Sequence, residues 1–147
     1  MEVAEKVHTF NVSLKWDYET NSGLARSESR MPLLFGPPPE FGGAEMNWSP
    51  EHLITASLAG CYMNTFIHFA KLLKVTITNI RVTAKAEFEK KQHGFEATRY
   101  IIRPVVEFHN TPGQYVIDNL FQKAKKYCII SNSVKGEVCV EPNVITG

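Results

Sequence analysis

The stretch SPEHLITASLAGCYMNTF, Ser49 to Phe66, decides the fold. Ser49 has the side chain of an N-cap, and Pro50 takes the first helical position, where its missing N–H costs nothing. Glu51 sets an acid against the positive end of the helix dipole. These signals predict a helix running to about Leu73. Its apolar residues occupy nearly every angle around the axis, so it belongs inside the domain or against a partner subunit. From Leu53 to Ala70 it carries no Asp, Glu, Lys or Arg, which raises a membrane span as an alternative. Thr55, Ser57, Gly60, Asn64, Thr65 and His68 argue against that alternative. What remains is a buried core helix with Cys61 near its centre, where a thiol is either packing or chemistry.

Toward the N-terminus, Phe10, Val12, Leu14, Trp16 and Tyr18 alternate with polar residues, predicting a half-buried strand with one apolar face. The turn signal TNSG (Thr20 to Gly23) and the polar run ARSESRMPLL predict a second strand that returns on the first as a hairpin. FGPPPEFGGAEMNW, Phe35 to Trp48, is too apolar for disorder and predicts a packed connection or pocket wall. Its aromatics Phe35, Phe41 and Trp48 then either line an apolar pocket or cover the core.

Beyond the helix, alternation from Val82 to Glu89 breaks at Gln92-His93-Gly94 and resumes from Tyr100 to Phe108, predicting a hairpin pair. Pro104 cannot donate to a ladder and is expected at an unpaired side or a bulge. Thr111-Pro112-Gly113 repeats the cap-plus-proline start. Val116, Ile117, Leu120, Phe121, Ala124 and Cys128 then trace one face of a second helix, with Cys128 at its C-terminal end. Glu137 to Glu141 closes the chain as a strand, with Val138 and Val140 on one face and Cys139 on the other. The order strand, strand, long helix, strand, strand, helix, strand is of the α+β class, a mostly antiparallel sheet wrapped on helices in a single domain over residues 1–147.

The charges balance, 16 Lys and Arg against 15 Asp and Glu in 147 residues, and are spread along the chain. No electrostatic argument then favours nucleic acid or a membrane surface as partner. The N-terminal MEVAEKVHTF lacks the pattern of a secretory signal, so an intracellular, cytoplasmic protein is expected. Three cysteines, Cys61, Cys128 and Cys139, have neither CxxC nor zinc-ribbon spacing, and no metal or cofactor site is predicted. An odd number in an intracellular chain argues against a disulfide framework and for thiols that are inert or used in chemistry.

Reactive thiols act as thiolates, so each cysteine is read by its surroundings. Cys61 lies about 12 residues into its helix, beyond the reach of the dipole. Any activating cation must come from elsewhere, with Arg26 and Arg30 of the second strand as candidates. Ser57, Asn64 and Thr65, a turn away, can offer hydrogen bonds but no base, and His68 is roughly 10 Å along the axis. Cys128 follows the basic run Lys123 to Tyr127, which predicts easier ionisation, whereas Glu137 and Glu141 disfavour it for Cys139. These residues alone leave packing and catalysis both open for Cys61.

The segments SPEHLITASLAGC and YCIISNSVKGEV together resemble the OsmC/Ohr family of hydroperoxide reductases. There an (N/S)PEEL-type helix start leads to an alanine-rich turn ending in Cys, and a second motif, C-P-(I/V)-S, precedes the last strand. Here the first is Ser49-Pro50-Glu51-His52-Leu53 leading to Ala59-Gly60-Cys61, and the second is Cys128-Ile129-Ile130-Ser131 leading to Val134-Lys135-Gly136. Phe41 to Gly43 and the element order extend the match along almost the whole chain.

The resemblance implies an OsmC-like fold in an intertwined homodimer, and a peroxidase acting on organic hydroperoxides and on hydrogen peroxide. Cys61 would be the peroxidatic thiolate, Cys128 the resolving thiol, and a dithiol of the lipoyl type the reductant. Glu51 corresponds to a glutamate that orients the activating arginine. Ten residues on one helix separate Glu51 from Cys61 by about 15 Å, so Glu51 is expected to serve the Cys61 of the partner subunit. Departures are visible as well. TNSGLARSESR does not reproduce the family's Gly-Arg-rich turn, so Arg26 stands first and Arg30 second as the activating residue, and Ile129 replaces the usual proline. The competing reading is an OsmC-like small-molecule-binding module without peroxidase activity.

Overall fold

The computed structural model describes residues 6–146. The elements run β1 (Ser13–Asp17), β2 (Ser22–Arg26), β3 (Leu33–Phe35), α1 (Pro50–Leu72), β4 (Ile77–Lys91), β5 (Gly94–Phe108), α2 (Gln114–Lys126), β6 (Glu137–Val140) and β7 (Asn143–Ile145). The fold is α+β, as the alternation and the two helix starts predict. It packs as two units divided between His52 and Leu53. The first five residues of the acidic N-terminal stretch lie outside the described residues.

In the first unit, β1, β2 and β3 form an antiparallel meander, with Trp16 opposite Gly23 and Leu24 opposite Leu34. Gly23 is favoured there, because a Cβ would fall against the ring of Phe35. The single strand expected from ARSESRMPLL is instead divided: β2 begins at Ser22, and a turn closed by Arg30 N–H to the Ser27 carbonyl (3.0 Å) separates it from β3. β1 also differs from expectation, since all its residues are exposed, Leu14 and Trp16 included. Three short strands have too little area to bury an apolar face of their own. Phe35 bridges to Trp48, and the chain then enters α1.

The start of α1 is held by a reciprocal cap. Ser49 Oγ accepts from the His52 N–H at 3.2 Å, and His52 Nδ1 lies 2.6 Å from Ser49 Oγ and accepts from the Ser49 N–H at 3.4 Å. Histidine takes the place that glutamate or glutamine fills in a common capping box.

In the second unit β4 and β5 make the long hairpin, turning at Gln92-His93 as the break predicts, and β6 and β7 add to the far edge of β5 in parallel. The pairing is mostly antiparallel, as expected, and this edge adds two short parallel ladders to it. Pro104 pairs across from Val82 on one side, and on the other falls between the β6 partners, ending at Ile102, and the β7 partners, starting at Val105. The missing donor therefore sits where the ladder passes from one short strand to the next.

The core is one cluster. Leu58, Tyr62, Phe66 and Ala70, at successive i+4 positions of α1, pack with Tyr100, Ile102, Val106 and Phe108 of β5 and Ile117, Leu120, Phe121 and Ala124 of α2. Each large apolar side chain removed from water here is worth about 1.5–3 kcal/mol. One stripe of α1 is thus buried, while Ala56, Ser57, Gly60, Asn64 and His68 are exposed. α2 starts two residues later than expected: its N-cap is Gly113 with no side-chain hydrogen bond, so Thr111 does not cap it.

Candidate active site

Two elements of the second unit converge on sulfur. Cys61, half-buried on α1, packs against the core cluster that contains Cys128, which lies just past the C-cap Tyr127 of α2 and is wholly buried. Cys61 is near enough to Cys128 to raise the pKa of its thiol. The apolar face that carries Ile117, Leu120 and Ala124 is what turns Cys128 inward, because the chain continues that face for one more turn beyond the helix.

Burial pushes the Cys128 thiol above its ordinary range, and the adjacent Cys61 pushes it further, while Ser131 acts in the opposite direction through both side chain and backbone. The Ser131 N–H donates to Cys128 Sγ at 3.4 Å. Its hydroxyl lies close enough to lower the thiol's pKa without completing a well-formed hydrogen bond, and is buried with no partner among the described residues.

This corrects the expectation that the lysine run makes Cys128 easily ionised. Lys123 Nζ instead lies over the ring of Phe69 at 5.4 Å and Lys126 Nζ over Tyr127 at 5.3 Å, so these cations occupy the aromatic surface while the thiol points into the core.

Two neighbours were not legible as site residues. Tyr62 follows Cys61 directly and is fully buried; its hydroxyl donates to the Phe121 carbonyl at 3.3 Å, and burial, with the nearby Cys128, raises its pKa strongly. The available signal was its place in the Leu58, Tyr62, Phe66, Ala70 series, where it alone carries a polar tip. Ser131 belongs to the second motif, but nothing in the local sequence shows that it folds back on the sulfur. Thr65, expected as a hydrogen-bond donor near Cys61, uses its hydroxyl on the Cys61 carbonyl at 2.8 Å. Cys139 sits on β6 opposite Ile101, and the neighbouring Glu141 pairs with Arg103 at 2.8 Å.

Arg26, Arg30 and Glu51 belong to the first unit. Glu51 is half-buried in the first turn of α1. Arg26 ends β2 opposite Ser13 and lines an apolar groove of about 1210 Å³ with Leu14, Trp16, Leu24, Leu34 and Met46. Arg30 points elsewhere and pairs with Glu28 at 3.3 Å. Phe35, Phe41 and Trp48 are not among the walls of this groove; Phe35 is half-buried, and Phe41 and Trp48 are exposed. Among the described residues no helix is long and apolar enough to cross a membrane, and no group of three or more His, Cys, Asp or Glu is placed to hold a metal ion.

Comparison with known proteins gives a consistent result. The family model described as OsmC-like protein matches residues 42–143, which contain Glu51, Cys61, Cys128 and Ser131. The chain is similar to the peroxiredoxin OsmC of Escherichia coli (strain K12), 28% identical over 97 residues that cover 66% of this chain and 67% of the relative. Its fold resembles that of an OsmC-like protein of unknown function from Vibrio cholerae, with TM-score 0.84 and 21% identity over 92% of this chain and 99% of the other. It also resembles that of an organic hydroperoxide resistance protein from Elizabethkingia anophelis, with TM-score 0.75 and 20% identity over 97% and 99% of the two chains. With the family model spanning more than half the chain and including both cysteine motifs, the protein belongs to the OsmC-like protein family.

Proposed function

We propose that this protein is a thiol-dependent peroxidase that reduces organic hydroperoxides, and hydrogen peroxide as a second substrate, through Cys61 and Cys128. The observation that carries the reading is the packing of Cys61 against the core cluster that holds Cys128, in a chain of the OsmC-like family. The similar proteins from Escherichia coli and Elizabethkingia anophelis, a peroxiredoxin and an organic hydroperoxide resistance protein, support it.

The Cys61 thiolate attacks the O–O bond, takes one oxygen as a sulfenic acid and releases an alcohol once the leaving alkoxide gains a proton. Cys128 then attacks that sulfur, forming a disulfide and expelling hydroxide, which leaves as water. A dithiol of the lipoyl type reduces the disulfide by two exchanges and is itself oxidised to a disulfide.

In this proposal the working unit is a homodimer. The uncovered apolar residues of β1 support it, since an exposed apolar face of this extent calls for a partner surface. Glu51 and Cys61 lie ten residues apart on the continuous α1, about 15 Å by helix rise, so the partner subunit's Glu51 is assigned to each Cys61. Arg26, beside apolar groove walls and, among the described residues, without the carboxylate partner that Arg30 has, is assigned as the activating cation.

The test is to treat the reduced protein with cumene hydroperoxide and with hydrogen peroxide and to map disulfides by mass spectrometry. A Cys61 to Cys128 bridge formed within one chain, absent in Cys61→Ser, is the expected result. Peroxide consumption that persists unchanged in Cys61→Ser would sink the reading.

A further inference from the structure

We propose that Ser131 is a catalytic residue of the resolving half-reaction, its backbone N–H and buried hydroxyl forming a two-donor cradle for the negative charge on Cys128. The inference rests on the two-cysteine reading for its role in turnover, but the cradle itself rests on geometry. The turn after α2 is tightly bonded: Asn132 N–H to the Cys128 carbonyl at 3.1 Å, Ser133 N–H to the Ile130 carbonyl at 3.0 Å, and Ser133 Oγ to the Ile129 carbonyl at 2.7 Å. These bonds leave the Ser131 N–H aimed at Cys128 Sγ, 3.4 Å away. The Ser131 Oγ beside it is buried and has no partner among the described residues. A buried hydroxyl without a partner is uncommon and asks for an explanation. A hydroxyl proton rotates freely, so this one can swing onto the sulfur once the sulfur carries charge, when the bond becomes charge-assisted.

The groups facing Cys128 give the charge no other support. Cys61 and burial both disfavour the ionised form, and Tyr62 spends its proton on the Phe121 carbonyl. Lys123 and Lys126 of α2 are engaged on aromatic rings. Yet the cycle needs charge on this sulfur twice. In resolution the Cys128 thiolate attacks the sulfur of the Cys61 sulfenic acid, the S–S bond forms and hydroxide departs. In reduction a thiolate of the dithiol attacks Cys61 Sγ, the S–S bond breaks, and the electron pair stays on Cys128 Sγ until a proton arrives. The dithiol's second thiol then displaces Cys61 and completes its own disulfide. Ser131 stabilises both the attacking and the leaving thiolate.

The cradle is tested first without peroxide. In a Cys61→Ser, Cys139→Ser background, alkylation of Cys128 by iodoacetamide at fixed, mildly alkaline pH reports its thiolate fraction. Ser131→Ala should slow it about tenfold, equivalent to about one pH unit. Ser131→Thr should restore it, and Ile129→Ala, an exposed side chain of the same turn, should leave it unchanged. Equal or faster alkylation in Ser131→Ala, with an unchanged urea midpoint, overturns the cradle; a lowered midpoint moves the decision to the Thr variant, whose failure to restore the rate overturns it. With both cysteines present, dimedone trapping after a peroxide pulse should show the Cys61 sulfenic acid forming at the normal rate but persisting about tenfold longer in Ser131→Ala. If the wild type forms neither sulfenic acid nor disulfide, the peroxidase reading fails while the alkylation result still judges the cradle.

Discussion

The hydroxyl of Tyr62 donates to the carbonyl of Phe121 at 3.3 Å, tying α1 to α2 at the level of the two thiols. Tyr62→Phe keeps the packed ring and removes this link. The expected loss is about 1 kcal/mol, the usual net worth of one buried neutral hydrogen bond, read as a lower urea midpoint with an unchanged slope. Because the bond fixes the spacing of the helices that carry Cys61 and Cys128, disulfide formation in Tyr62→Phe should slow as well.

The raised pKa of Cys128 makes the stability of the reduced protein pH-dependent in a defined direction. In the folded state the thiol stays protonated above its ordinary value of 9.0, where the unfolded chain has already released the proton. The unfolded state then binds fewer protons than the native one, so stability is fully present below about pH 9 and falls as pH rises beyond it. Tyr62, shifted in the same direction, adds to the fall above its ordinary value of 10.0. Chemical denaturation at several pH values checks this: Cys128→Ala should flatten the first part of the decline, and an identical profile would refute the assignment.

Gly136 joins the turn after Cys128 to β6 with φ +108°, and a Cβ there would meet the Ala97 carbonyl oxygen at 2.8 Å. Gly136→Ala combines a disfavoured backbone with a clash against β5, and a loss of about 1–3 kcal/mol is expected in equilibrium unfolding. The same change should alter the alkylation rate of Cys128, since it shifts the turn that carries Ser131.

If Arg26 activates Cys61, Arg26→Ala should lower kcat/KM for cumene hydroperoxide about a hundredfold, the usual scale for losing one preorganised electrostatic partner. Arg30→Ala, which breaks only an exposed pair with Glu28, should cost less than about twofold. The reverse order of effects would reassign the role to Arg30.

Leu14 is 57% exposed and Trp16 36% exposed on β1. Replacing both with Glu should shift the protein from dimer to monomer in analytical ultracentrifugation and abolish turnover, because the assigned Glu51 comes from the partner. A wild-type protein that sediments as a monomer while turning over peroxide would rule out the dimeric site.

Local signals determined much of this protein. Ser49-Pro50 placed the start of α1, the break at Gln92-His93-Gly94 placed the turn of the long hairpin, and the two cysteine motifs identified the family. Each is written in residues close along the chain, where capping, proline chemistry and alternation act directly. Tertiary structure alone decided the rest. The ladder on the far edge of β5 comes from strands more than thirty residues away in sequence, so its parallel direction had no local signature. The ionisation of Cys128 reversed for the same reason: Lys123 and Lys126 are turned onto aromatic rings, and burial, a property of the whole core, outweighs the basic run. Cys61 was legible from the start as a thiol on the core helix, and it is half-buried there. That Cys128 lies in the core beside it, and that the Ser131 N–H folds back onto that second sulfur, depends on how α1, α2 and the turn after α2 pack together.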